Sequence, residues 1–132
     1  MTQFHNGDHY YSNSSILKMS VTHETTDDST TRIIESCQNI LVSKYHKFLD
    51  SLLKEELLTY NSIQSKTKKD DDMIMLLKVG GIQTYYAVKL LNQKDEVIGF
   101  FSISYCNQRK LDENMLNIFK DYGNTISFLL RP

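Results

Sequence analysis

The chain lacks most of the features that announce a function outright. No run approaches the ~18 consecutive apolar residues that a membrane span requires, so no membrane partner is expected. The opening "MTQFHNGDHYYSNSS" has neither the basic end nor the apolar centre of a secretory leader. Neither G-x-x-x-x-G-K nor G-x-G-x-x-G occurs, which removes the two common phosphate-cradling loops. There is no excess of basic charge. Fifteen Lys and Arg stand against 16 Asp and Glu for a net charge of −1, and no basic stripe is present to follow a nucleic-acid backbone. Cysteine is scarce: Cys37 and Cys106 are the only two, they form no C-x-x-C pair, and neither has a visible His-Asp partnership. Two free thiols fit a reducing, cytoplasmic setting better than a disulfide framework.

What is present is an ordinary globular chain of 132 residues, 40% hydrophobic and 23% charged, long enough for one domain with one core. Asn6-Gly7 predicts a turn at the end of a short first strand. "SILKMSVTHE" (15–24) alternates apolar and polar residues as a half-buried strand does. A polar loop follows at 25–31, and 32–42 reads equally as helix or extended chain. Ser43 is a candidate cap for an amphipathic helix carrying Tyr45, Phe48, Leu49, Leu52 and Leu53. Residues 57–64 suggest an edge strand, and the charged stretch 65–72 suggests a solvated loop whose aspartates suit a helix N-terminus. A short helix then ends at Gly80-Gly81.

The hairpin and the last helix are the clearest elements. Residues 82–91 and 97–106 form two strands around the turn 92–96. Val97, Phe101, Ile103 and Tyr105 fall on one face of the second strand; Ile98, Phe100 and Cys106 fall on the other. Both faces are apolar enough to need cover. Asp112 caps a helix over 113–129, with Leu111 stapled onto Leu116. Met115, Ile118, Phe119, Tyr122, Ile126, Leu129 and Leu130 make one apolar stripe, weakened only at Gly123.

This order of helix, strand, strand and terminal helix over roughly the last 60 residues resembles the second half of a GAF domain. The likeness is carried by "IQTYYAVKLL", by "EVIGFFSISY" with its Ile98-Gly99-Phe100 centre, and by "LDENMLNIFKDYGNTISFLL". Phe4, His5, Asn6 and Gly7, followed by Lys18, Ser20, Thr22 and Glu24, are similar to GAF-like proteins of phage and bacterial origin. The resemblance implies an α+β fold, a central antiparallel sheet of about five strands with helices on its faces. It also implies that the first helix and the start of the first strand are absent, leaving sheet surface uncovered. A homo-oligomer joined near its N-terminal regions is therefore expected.

Chemistry is thinly signalled. His5, Asp8, His9, His23 and Glu24 gather near one turn but lack recognisable metal-ligand spacing, so no metal or cofactor is expected and His5 is assigned a backbone hydrogen bond. Tyr10, Tyr11 and the hydroxyls along the strands suit a small-molecule pocket. Lys18 is the cation for an anionic group, while Ser20, Thr22, Ser102 and Ser104 orient a ligand. Tyr85 or Tyr86 stacks on a planar ring, one only, because neighbours on a strand point oppositely. The expectation is a non-enzymatic small-molecule-binding or regulatory module, with a nucleotide-type ligand suggested by the resemblance. A ligand-free dimerisation module is the alternative, and a small hydrolase using His5 or His23 is the remotest reading.

Overall fold

The computed structural model describes residues 1–9, 15–27, 33, 37–66 and 71–130, the side chains of 6–9 and 15–17 excepted. Tyr10 and Tyr11, and the side chains of Asp8 and His9, lie outside that description. Among the described residues, six strands form one antiparallel sheet in the order β3-β2-β1-β6-β5-β4. They are β1 (Thr2–His9), β2 (Ser15–Val21), β3 (Ile40–Leu41), β4 (Leu58–Tyr60), β5 (Thr84–Leu91) and β6 (Val97–Tyr105). Among the described residues three helices accompany them: α1 (His46–Lys54), α2 (Asp72–Val79) and α3 (Glu113–Leu129). Short 3-10 turns occupy Val42–Tyr45 and Ile63–Ser65. The sixth strand is β3, drawn from the ambiguous stretch. No helix among the described residues is long and apolar enough to cross a membrane.

Several local expectations change. Asn6-Gly7 does not turn. β1 continues to His9, and its register against β2 slips by one between Asn6↔Leu17 and His9↔Ser15. Gly7 and Asp8 together face one residue of β2, so the glycine signal marks a bulge inside the strand rather than its end. β2 stops at Val21, short of 24, where the chain loses its ladder. A second register slip, between Leu90↔Gly99 and Leu91↔Val97, places Ile98 in a bulge at the start of β6. Strict alternation therefore fails there.

Ser43 caps nothing. It lies inside the 3-10 turn, which runs directly into α1, and no side chain caps either start. α2 starts as its aspartates suggest: the Asp71 carboxylate accepts from the Met73 and Ile74 amides. It ends in a Schellman arrangement. The Ile82 amide reaches the Leu77 carbonyl and the Gly81 amide reaches that of Lys78, with Gly81 at φ 74°. Glycine takes that conformation without the steric cost of a side chain.

The two faces of the sheet carry different cores. On one, Phe4, Met19, Leu58, Tyr85, Ala87 and Phe100 pack beneath Tyr45, Phe48, Leu49 and Leu52 of the α1 region and Met73, Ile74 and Leu77 of α2. On the other, Tyr86 and Val88 of β5 and Phe101 and Ile103 of β6 meet Leu111, Leu116 and Phe119 around α3. The Phe101 and Phe119 rings are 5.2 Å apart. Asp112 caps α3 by accepting from the Met115 amide, and Leu111 and Leu116 share this core as a staple does.

Gly123 is no weakness in α3. A Cβ there would sit 2.6 Å from Val88 Cγ2, so the missing side chain is what lets the helix approach β5. The buried stripe is Phe119, Gly123 and Ser127, whereas Met115, Ile118, Tyr122 and Leu129 point outward. The single apolar stripe read along the sequence is two stripes on neighbouring sides of one helix.

Candidate functional site

Strand register decides which of the expected ligand residues can meet. Thr2↔Phe100 and Phe4↔Met19 place Phe4, Met19 and Phe100 on one face, and Tyr85↔Ser104 and Ala87↔Ser102 put Tyr85, Ser102 and Ser104 there too. That is the face under α1 and α2. His5↔Lys18 and Gln3↔Ser20 turn Lys18, Ser20 and, by alternation, Thr22 to the α3 side, which Tyr86 shares. The seven residues are thus divided, three from four, by the thickness of the sheet.

Under α1 and α2 the space is occupied. Phe48 is fully buried, and its ring centre lies 5.1 Å from that of Phe100, 6.2 Å from Tyr85 and 6.4 Å from Tyr60. Tyr85 already has an aromatic partner: it stacks on Tyr60 at 6.2 Å and 21°, and its phenol is hydrogen-bonded to Ser102. Ser104 is exposed. At the rim, Lys44, Tyr45, His46, Lys47, Asp71 and Asp72 line a crevice of about 20 Å³. That volume holds roughly one water molecule.

Burial shows in the phenols. Desolvation, helped by the Asp71 charge, pushes Tyr60 up to about 12, and desolvation moves Tyr85 further, against the opposing Ser102 hydrogen bond. Burial also raises Tyr45, with Asp72 and Cys37 adding to it. Folded values above the ordinary phenol value of about 10 mean that the unfolded chain loses these protons first. This contribution to stability is complete below pH ~10 and is lost as pH rises through the folded values. We expect alkaline unfolding to begin above pH ~10, with part of the tyrosinate absorbance appearing only as the circular dichroism collapses. Smooth titration of all eight tyrosines with an intact fold would contradict this burial.

On the α3 side, Tyr86 is a latch. Its hydroxyl donates to the Arg109 carbonyl at 2.9 Å and accepts from the Leu111 amide at 3.2 Å. Thr84 works beside it, donating to the Asn107 carbonyl and accepting from the Arg109 amide, both at 3.0 Å. The two hydroxyls fasten the segment between β6 and α3 to β5. Arg109 lies 4.8 Å over the Tyr105 ring.

Farther across the same face, Ser20 is buried; its oxygen accepts from the Asn39 amide and lies 2.8 Å from His5 Nε2. His5 thus has a side-chain partner in Ser20. Thr22 Oγ1 is 3.1 Å from His23 Nδ1. Glu24 accepts from the Ile33 amide. No group of three or more His, Cys, Asp or Glu among the described residues is placed to hold a metal ion. Cys37 is a buried free thiol and Cys106 an exposed one.

The sequence reading did not anticipate a groove of about 160 Å³ between α3 and the end of β5, lined by Glu56, Val88, Lys89, Leu91, Lys120, Gly123 and Asn124. Its cations have partners: Lys89 donates to the Leu53 carbonyl at 2.9 Å, and Lys120 pairs with Glu56 at 3.5 Å. Pockets for drug-sized ligands measure about 300–1,000 Å³, well above this volume.

A six-stranded antiparallel sheet with helices on both faces, in this strand order, is an α+β fold of the GAF type. Solved structures place it there. The cyanobacteriochrome receptor PixJ superposes with a TM-score of 0.64 at 12% identity, over 98% of this chain and 81% of its own. The phycocyanobilin-bound GAF domain of a cyanobacterial phytochrome gives 0.63 at 10%, over 98% and 73%. The GAF domain of a two-component sensor histidine kinase from Bacillus halodurans gives 0.62 at 14%, over 96% and 78%. The chain spans about half, 51%, of a sensor histidine kinase domain from Sinorhizobium meliloti 1021. No family model and no curated protein matches the sequence. Identities this low carry the fold and leave the ligand to be argued from the site itself.

Proposed function

We propose that the chain is a non-enzymatic regulatory module that works by docking through its outer surfaces, without enclosing a small molecule. One observation carries this reading: the interlocked core beneath α1 and α2, where Phe48, Leu52 and Ile63 are almost wholly removed from solvent. A ligand entering there must displace packed aromatic rings, and close-packed interiors yield only at several kcal/mol. The split of the expected ligand residues between two faces points the same way.

A second reading rests on a different observation. Lys18 and Ser20 project from one face of β2, with Thr22 just beyond its end and His5 directly opposite Lys18. Such a row suits an anionic, nucleotide-type ligand on this face of β1 and β2, and in a phage setting such binding would sequester a host signal. Calorimetry with a panel of cyclic and linear nucleotides separates the two. The docking reading expects no binding heat from any of them. Binding that weakens at least tenfold in a folded Lys18→Ala variant would replace it with the second reading.

A further inference from the structure

β4 is short, and a groove opens where it stops. Its pairing with β5 ends at Leu58↔Ala87, while β5 runs on to Leu91. Val88, Lys89 and Leu91 of that extension line one side of the groove of about 160 Å³, and Lys120 and Gly123 of α3 line the other. Glu56, from the connection between α1 and β4, also borders it. At Gly123 no side chain fills the space between helix and strand.

The groove combines hydrocarbon with a charge imbalance. Val88 and Leu91 supply the apolar lining, and two ammonium groups accompany a single carboxylate. Neither cation is saturated. A lysine ammonium carries three donors, and the Leu53 carbonyl takes one of those on Lys89. Lys120 meets Glu56 at 3.5 Å, a long pair whose acidic side chain is 84% exposed. Such pairs in water are weak and give way to a better partner.

We propose that this groove binds a small monocarboxylate with a short aliphatic body, its carboxylate displacing Glu56 from Lys120. The inference goes beyond the docking reading, since an open groove holds such a molecule without enclosing it. Volume sets the size. Cavities of about 150 Å³ hold benzene, so a chain of about four to six carbons fits. Charge sets the class. One surplus positive charge matches a monoanion, whereas a phosphate dianion would be undercompensated beside Glu56 and an amine would meet two like charges.

Proton–nitrogen magnetic resonance of the full chain, titrated with sodium pentanoate at constant ionic strength, tests this. Saturable shifts are expected for amides of 88–91 and 120–124, with none from pentanamide or pentylammonium at equal concentration. Lys120→Gln should weaken binding roughly tenfold, and Glu56→Gln should tighten it because the competing acid is gone. Glu56 is exposed enough for its substitution to read out even if Lys120→Gln fails to fold. Shifts that never saturate, or that pentanamide reproduces, overturn the proposal. So does binding that Glu56→Gln leaves unchanged or weakens. Tighter binding of glutamate blocked at both ends than of pentanoate also overturns it, because the groove would then take an acidic side chain of a protein. Nucleotide binding in the calorimetric panel would remove the docking reading and leave this titration interpretable, whereas absent pentanoate shifts remove the groove site alone.

Discussion

Replacing Phe48 by alanine is expected to lower stability by about 3–5 kcal/mol, close to the range for deleting a fully buried aromatic ring. The ring lies at the meeting point of Tyr60, Tyr85 and Phe100, and no part of it reaches solvent. The deletion removes its transfer free energy and also opens a void that the three remaining rings, each held by its own strand, only partly fill. Since a domain of this size is stable by only about 5–15 kcal/mol, urea denaturation should show a large fall in midpoint with little change in slope. A loss under about 1 kcal/mol would place Phe48 outside the core.

Gly99→Ala is expected to cost at least about 3 kcal/mol, through a different cause. A methyl there would overlap the Thr2 carbonyl oxygen and lie 3.0 Å from Gln3 Cα. Both obstacles are backbone, so no side chain can rotate away. Thr2↔Phe100 and Gln3↔Gly99 join β1 to β6, and that junction unites the β3-β2-β1 half of the sheet with the β6-β5-β4 half. Hydrogen exchange should show amides of β1 and β2 losing protection before those of β5 and β6. Uniform protection at wild-type stability would mean that the two strands do not approach so closely.

Both substitutions fall in elements whose sequence signals were strong, and the contrast with weaker ones is physical. α3 was legible to the residue because Asp112 caps it and Leu111 staples it, both local interactions. The hairpin was legible because its turn sits between two long apolar runs. Asn6-Gly7 misled because a glycine pattern permits a turn or a bulge equally, and only pairing with β2 selects between them. β3 was invisible: two residues carry no period, and they become a strand only because Lys18 and Met19 lie alongside.

The expected site residues divide between two faces for a definite reason. Alternation within a strand correctly sent Tyr85 and Tyr86 to opposite faces. It says nothing about which face of β2 joins which face of β6; that depends on register across β1. His5↔Lys18 and Tyr85↔Ser104 settle it and separate Lys18 from Tyr85. Hydroxyls gave no help either, since Tyr86, Thr84 and Ser20 hold backbone in place. On α3 the sequence shows one apolar stripe, without Phe128, where two coexist. Gly123 separates them, because its missing side chain fixes which side of the helix meets Val88.

Whether packing closes the space beneath α1 and α2 can be read with a small apolar probe. Xenon and benzene enter dry cavities of about 150 Å³ lined by apolar side chains. Xenon-129 magnetic resonance is expected to find no xenon bound in this core of the wild-type chain and a bound signal in Phe48→Ala, whose missing ring leaves such a cavity. Xenon bound equally by the wild type at residues of this core, Tyr85 and Phe100 among them, would show a cavity already present and contradict it.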